Sequence, residues 1–367
     1  PASFGPSHVL WEQFGAGDND LGHILGKPVI AQMNNGEWAV IVGNGYASSS
    51  GTAALYIYRL VDGTLLRKLN TGVTSDNGMA TPSVWDDNGD GKIDWIYAGD
   101  LKGNVWRIDV NAANASQWDF RDKQGNNPQP FFTAKDASGN PQPITAPIGI
   151  AVNTKIGSVG EGRRFLLFGT GSYFRTGDAG DKSQQTWYGL IDDTVISGRN
   201  ELTARSVAQQ AFFDNKPVRT FSEAVVGDMN GKKGWYLDFP ANTGERIVTQ
   251  TRVITNSVVP FAIASSIIPS EDPCQAGGRG YLNVIDPFTG SRLTTGVIDV
   301  NDNRDFADDK IGSSFIGSVD LGVGMPTTPN LTTSRIVVPG TTGLDSVAIR
   351  ITQRNIGRLN WREIVRN

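Results

Sequence analysis

Trp95-Ile96-Tyr97-Ala98-Gly99-Asp100-Leu101-Lys102-Gly103-Asn104-Val105-Trp106-Arg107-Ile108-Asp109 reads as two strands joined by a glycine turn. β-Branched and aromatic residues fill both arms, as a half-buried pleated surface requires. The same grammar recurs along the chain. Gly43-Asn44-Gly45-Tyr46 precedes Leu55-Tyr56-Ile57-Tyr58, and Phe168-Gly169-Thr170-Gly171 precedes Trp187-Tyr188-Gly189-Leu190-Ile191-Asp192. Gly277-Gly278 precedes Leu282-Asn283-Val284-Ile285-Asp286. Trp38 to Val42, Arg164 to Phe168, Gly234 to Asp238, Val258 to Ala264 and Arg335 to Val338 add further strand-like runs. Helical periodicity is nearly absent; Leu202 to Phe213 fits a helix and a strand almost equally. Degenerate multi-stranded units in series predict an all-β propeller, with a pair of β-sandwiches as the competing architecture.

Just upstream lies Asp86-Asp87-Asn88-Gly89-Asp90-Gly91-Lys92-Ile93-Asp94. Oxygen side chains alternate at Asp86, Asn88, Asp90 and Asp94, and the Lys92 carbonyl fills the remaining slot. Gly91 takes the sixth position, where a loop wrapped around one ion turns sharply, and Ile93 can anchor the loop to a core. Calcium is a hard cation that takes six to eight oxygens at about 2.3–2.6 Å, which this set suits. The helix-loop-helix version is excluded, because Tyr97 stands where a bidentate Glu would be needed. Magnesium favours stricter octahedral geometry, and zinc would want His or Cys nearby. The competing reading is a metal-free acidic turn, since Asp, Asn and Gly are also turn residues.

The 367 residues carry a net charge of −4, 44 Gly, 18 Pro and one cysteine, Cys274. No basic patch supports nucleic-acid binding, and no apolar run is long enough for a membrane helix. The single cysteine allows no intrachain disulfide, so it is free or pairs elsewhere. With Pro1 first and no signal peptide, the sequence reads as a processed piece of a longer protein. The whole of 1–367 is expected to form one domain, with 111–144 and 175–185 as loop insertions rich in polar and turn residues. A weak calcium site fills best where calcium is abundant, outside the cytoplasm.

The motifs together resemble the C-terminal domain of PilY-type (PilC/PilY) type IV pilus tip proteins. Those carrying the resemblance are Trp11-Glu12-Gln13-Phe14, Asp20-Leu21-Gly22, Gly26-Lys27-Pro28-Val29-Ile30, Asn77-Gly78, the 86–94 loop and Tyr97 to Arg107. They include Gly43 to Tyr46 and continue through Phe168 to Phe174, Gln185 to Gly189, Gly234 to Leu237, Gly244-Glu245-Arg246, Pro269 to Cys274 and Gly357 to Glu363. The resemblance implies a modified quinoprotein-like β-propeller of roughly seven blades. It also implies a pilus-biogenesis factor and tip-associated adhesin serving twitching motility and surface adhesion. One calcium would then be held by Asp86, Asn88, Asp90, Asp94 and the Lys92 carbonyl and linked to the balance of pilus extension and retraction. Asp87 would add charge without ligating. Minor pilins of the tip and the pilus machinery become the expected partners, and the cell surface or pilus tip, reached through the periplasm, the expected location. The family's propeller begins before the Trp11 signature, so the first blades are expected to be missing here. No Arg-Gly-Asp occurs.

Asp299, Asn301, Asn303 and Asp305 repeat the alternation with Arg304 in place of the sixth-position Gly, a weak second calcium site at 299–305 that Asp308 and Asp309 would complete. Ala98-x-Asp100-x-x-Gly103-x-x-Trp106 resembles a shortened tryptophan-docking motif, whose indole N–H is expected to meet a backbone acceptor. A catalytic quinoprotein would need paired cysteines, which one cysteine denies, so no enzymatic activity is expected; a quinoprotein-like oxidoreductase and an adhesin with purely structural calcium are the alternatives. Of the two histidines, His8 and His23, the latter reads as a packing residue. There is no nucleophile elbow or Walker loop.

Overall fold

The first strand of each repeating unit starts beside a proline, a threonine or both: Lys27-Pro28, Thr81-Pro82, Pro147, Thr251 and Thr328-Pro329. In the computed structural model these five starts gather around one central cavity, and each opens an antiparallel meander. The structure describes residues 5, 8–13, 17–24, 26–255, 257, 259–271 and 277–350. Phe14, Val258, Cys274 and the stretch 357–363, used in the sequence reading, lie outside them.

The first unit is β1 (Val29–Met33), β2 (Trp38–Gly43), β3 (Ala54–Arg59) and β4 (Leu65–Asn70), paired in order. The second contains β5 (Ser83–Trp85), β7 (Trp95–Gly99), β8 (Asn104–Asp109), β9 (Asp119–Phe120) and β12 (Phe132–Thr133), with β10 (Lys123–Gln124) and β11 (Asn127–Pro128) as a side hairpin; β6 (Lys92–Ile93), between β5 and β7 in sequence, crosses to the first sheet and pairs with β1. The third contains β13 (Gly149–Val152), β14 (Arg164–Gly169), β15 (Thr186–Ile191) and β18 (Gly234–Asp238), and between the last two the chain makes β16 (Thr203–Phe213) and β17 (Lys216–Phe221). The fourth is β19 (Arg252–Ile254), β20 (Phe261–Ile268), β21 (Arg279–Ile285) and β25 (Ser318–Val319), preceded in sequence by β22 (Ile298–Asp299) and the small hairpin β23 (Lys310–Ile311) and β24 (Ser314–Phe315). The fifth joins β26 (Asn330–Leu331), β27 (Arg335–Pro339) and β28 (Leu344–Ile349) to β22. No α-helix occurs among the described residues, and the architecture is an all-β, quinoprotein-like propeller.

Leu202 to Phe213 resolves as strand. β16 pairs parallel with β18 through Thr203↔Trp235 to Ser206↔Asp238, then antiparallel with β17 from Val207↔Phe221 to Phe213↔Lys216 with a bulge between Val207 and Gln209. Because β17 also pairs with β25, units three and four share one ten-stranded sheet. Residues 111–144, expected as a loop insertion, return twice to the sheet: β9 and β12 both pair with β8, and Trp118, Phe131 and Phe132 are buried. Apolar burial draws that segment back. No strand forms within 175–185.

The core lies between successive units. One cluster joins Met33, Ile41 and Ile57 of the first to Ile96, Trp106 and Trp118 of the second, and another joins Phe165 and Trp187 of the third to Ala262 and Ile285 of the fourth. Trp235 is gripped on both faces: a Cβ on Gly189 would lie 2.3 Å from its ring, and so would one on Gly290. Only glycine allows that closeness.

Candidate metal-binding loop

The loop between β5 and β7 folds onto its own backbone. The two carboxylate oxygens of Asp86 accept the N–H groups of Gly89 and Gly91, each at 2.7 Å. Asn88 accepts from Asp90 N–H at 2.8 Å, and Asp90 accepts from Lys92 N–H at 2.9 Å. Asp94, buried, closes the ring by accepting the Asp87 N–H at 2.8 Å. These Asx turns need left-handed backbone at Gly89 (φ 76°) and Gly91 (φ 86°), which explains the glycine at the sixth position. The hydrogen bond from Gly91, with others from the loop backbone, holds the Asp86 carboxyl below the usual carboxylate range.

The five sequence-nominated positions therefore share one loop of nine residues. Their oxygens come from three carboxylates, one amide and one main-chain carbonyl, a hard all-oxygen set that fits calcium and not zinc. The carboxylates are turned toward main-chain N–H groups, and no three His, Cys, Asp or Glu side chains among the described residues are gathered as a metal cluster. The Lys92 ammonium stands 3.8 Å from Asp90, both exposed, a contact of little energetic weight.

Two long-range anchors hold this loop, and no local sequence signal announces either. Toward the first unit, β6 pairs in parallel with β1 (Gln32↔Lys92, Met33↔Ile93). There the Asn34 amide donates to the Ile93 carbonyl at 2.9 Å, to Asp94 at 3.1 Å and to the Val110 carbonyl at 3.3 Å. Toward the third unit, Asp87 accepts from the Trp85 indole at 3.1 Å and from the Arg164 guanidinium. Arg164 continues to Asp192 at 2.8 Å, and Asp192 also accepts from the Tyr97 hydroxyl at 2.6 Å and Arg107 at 2.7 Å. Burial alone would raise the Asp192 carboxyl; hydrogen bonds from Tyr97 and Arg107 and the charge of Arg107 outweigh it and hold the group low. The partners sit 28 to 95 positions from Asp192 in sequence, beyond the reach of any motif.

The tryptophan-docking reading needs one correction. The Trp106 indole donates to the Asp100 side chain at 2.9 Å, where a backbone acceptor was expected. Buried Asp100 also accepts from Asn77, from the Asn104 amide and from the N–H groups of Lys102 and Asn104. It is the hub of the turn, and a carboxylate can satisfy that many donors where one carbonyl cannot.

The 299–305 loop also closes differently from the spacing. Asp299 accepts from the N–H groups of Asn303 at 3.2 Å and Arg304 at 2.8 Å, with Arg304 held at φ 69° where the first loop has glycine. The N–H of the second position, Val300, goes to Asp309 at 2.8 Å, so Asp309 takes the place Asp94 holds in the first loop, and Asp305 instead accepts from Ala307. Asp309 is 1% exposed, and its second carboxylate oxygen has no hydrogen-bond partner among the described residues. Burial, with Asp299, Asp308 and Asp305 nearby, pushes its carboxyl up to about 6. His23 is exposed, pairing through its backbone with Tyr46 instead of packing in the core.

The sequence pattern of the PilY1 beta-propeller domain matches residues 14–223, more than half of the chain. A PilY1 homolog of Xylella fastidiosa is 32% identical over 345 residues, covering 89% of this chain and 22% of that protein. The type IV pilus biogenesis factor PilY1 of Pseudomonas aeruginosa is 32% identical over 401 residues, covering 97% of this chain and 33% of its own length. This chain thus spans a third or less of these two curated relatives. The crystal structure of the P. aeruginosa PilY1 C-terminal domain superposes with a TM-score of 0.77 at 27% identity, over 93% of this chain and 74% of that one. Sequence pattern, curated relatives and backbone superposition agree, and the chain belongs to the PilY1 β-propeller family.

Proposed function

We propose that this propeller is the calcium-responsive part of a type IV pilus biogenesis factor and tip-associated adhesin. In this reading calcium in the 86–94 loop shifts the balance between pilus extension and retraction, and with it twitching motility and surface adhesion. The observation that carries the proposal is the double anchoring of a loop with an all-oxygen donor set: Asn34 ties it to the first unit and Arg164 to the third. Asp86, Asn88, Asp90 and Asp94, with the Lys92 carbonyl, would hold the ion, and Asp87 is engaged by Arg164 instead. An ion bound only by the ordered loop stabilises that state by RT ln(1 + [L]/Kd). Because the loop touches three units, its ordering fixes how they pack, and a minor pilin or another part of the pilus machinery resting on that surface would sense occupancy. The 299–309 loop is a weaker second site under the same logic, favoured by the unpartnered buried oxygen of Asp309.

Calorimetric titration with calcium tests this, on the chain and on Asp90→Ala. Saturable binding in the parent that falls at least tenfold in the variant is expected, since a carboxylate leaves the donor set. Normal extension and retraction of pili carrying Asp90→Ala at every calcium level would refute the regulatory part. The function is non-enzymatic in this reading; dye reduction with added pyrroloquinoline quinone would favour an oxidoreductase instead.

A further inference from the structure

We infer that the cavity at the propeller centre is a binding site for a carboxylated sugar. The cavity measures about 370 Å³ and opens where the first strands of all five units begin. That is the size of a small-molecule site. Its lining includes Lys27 and His23 and, among the described residues, no Asp or Glu. Four threonines reach it from different units, Thr81, Thr145, Thr249 and Thr328, together with Gln250. Among the described residues, the side chains of Lys27, Thr81, Gln250 and Thr328 have no hydrogen-bond or ion-pair partner, so their polar groups are uncommitted.

One wall is aromatic and held in place. The Tyr46 ring lies 5.4 Å from His23 and 4.7 Å from Phe174. The Arg175 guanidinium covers Phe174 at 5.6 Å and is itself fixed by a two-pronged pair with Asp76 at 2.9 and 3.1 Å. The loop presenting Phe174 is pinned twice. Asp178 accepts from the N–H groups of Phe174 and Arg175 and from the Ser172 hydroxyl, each at 2.8 Å. Arg246, fully buried, donates to the carbonyls of Ser172, Asp178, Asp181 and Gly244 and has no ion pair among the described residues. A buried cation without a counter-ion is costly. Here it fixes the one loop that carries Tyr173 and Phe174 to the cavity.

The chemistry of the lining selects the ligand. A phosphate group would call for several cations or an Arg fork, and the lining supplies one lysine. A ring of hydroxyls and an amide suits a ligand with several hydroxyls of its own. An aromatic wall suits a flat apolar C–H face, as a pyranose presents. The single ammonium at the mouth suits one carboxylate. Lys27 takes the carboxylate, Tyr46 and Phe174 take the ring face, and the threonines and Gln250 take the hydroxyls. None of this depends on calcium occupancy of the 86–94 loop.

Saturation-transfer NMR and calorimetry on the full chain test the assignment, with digalacturonate, glucuronate and N-acetylneuraminate as probes and the neutral disaccharide galactobiose as control. At least one acidic probe is expected to bind about tenfold more tightly than galactobiose. Lys27→Gln, an exposed substitution, removes that preference, and Phe174→Ala weakens the acidic probe about tenfold. Absence of binding by all three acidic probes overturns the proposal. So does binding that neither substitution alters, or tighter binding at this cavity by a peptide ending in a free carboxylate. Unfolding curves recorded in parallel separate loss of binding from loss of fold.

Discussion

Asp192→Ala removes the acceptor on which two neighbouring units converge. Its side chain is 2% exposed and takes three donors: Tyr97 at 2.6 Å, Arg107 at 2.7 Å and Arg164 at 2.8 Å. Deleting one partner of a buried ion pair costs about 3–5 kcal/mol, because the charges left behind stay desolvated. Two features reduce that figure. Arg107 keeps Asp122 through contacts of 2.6 and 2.8 Å, and Arg164 keeps the half-exposed Asp87, a pair worth under about 1 kcal/mol. The expected loss is therefore about 3 kcal/mol at pH 7, read as a fall in the urea midpoint with an unchanged slope. The sign with pH follows from the lowered carboxyl of Asp192. A depressed folded-state value stabilises above the unfolded carboxyl value of about 3.9, and that stabilisation fades as pH falls through the lower folded value. The gap between parent and variant should thus be full at pH 7 and close progressively in acid below about pH 4. A loss under about 1 kcal/mol at pH 7, or a gap that persists undiminished in strong acid, would refute the reasoning.

Three further outcomes are expected. Gly189→Ala should cost about 3 kcal/mol in urea unfolding, since the new methyl meets the buried Trp235 ring at 2.3 Å where neither backbone nor indole has room to move. Asn34→Ala should weaken calcium binding several-fold in calorimetry while leaving the donor set intact, because the amide that orients Asp94 is lost. In calcium-free protein Asp309→Asn should raise stability at pH 7.5 and bring little gain at pH 4.5. The raised carboxyl, near 6, makes its stabilising contribution below the unfolded value and loses it as pH rises through 6, so removing the charge helps only at the higher pH.

The fold was legible wherever local chemistry decides it. Asn104 to Ile108 and Trp38 to Val42 are apolar, β-branched or aromatic runs closed by glycine turns, and they are strands. The turn at 86–94 was legible for the same reason: Asx turns and left-handed glycines are short-range features, so spacing alone placed Asp86, Asn88, Asp90 and Asp94 in one loop. Where pairing is non-local, the sequence was silent. Asn34, Arg164 and Asp192 reach the loop only through the stacking of units. Of Asp308 and Asp309, the two carboxylates offered by the sequence to complete the 299–305 loop, the fold selects Asp309 by bringing it to the Val300 N–H. Segment 111–144 looked like a loop for its Asn, Gln and Pro content, but Trp118 and the Phe131-Phe132 pair outweighed that composition.

The strand β16 has a mechanical consequence. It holds β18 along its first half and β17 along its second, and β17 in turn holds β25 of the fourth unit. Tension across the boundary between the third and fourth units therefore passes in series through four β16–β18 register pairs, six β16–β17 pairs and two β17–β25 pairs. Under pulling in an optical trap the two-pair β17–β25 contact is the expected point of parting between those units, while β16 keeps β17 and β18 together.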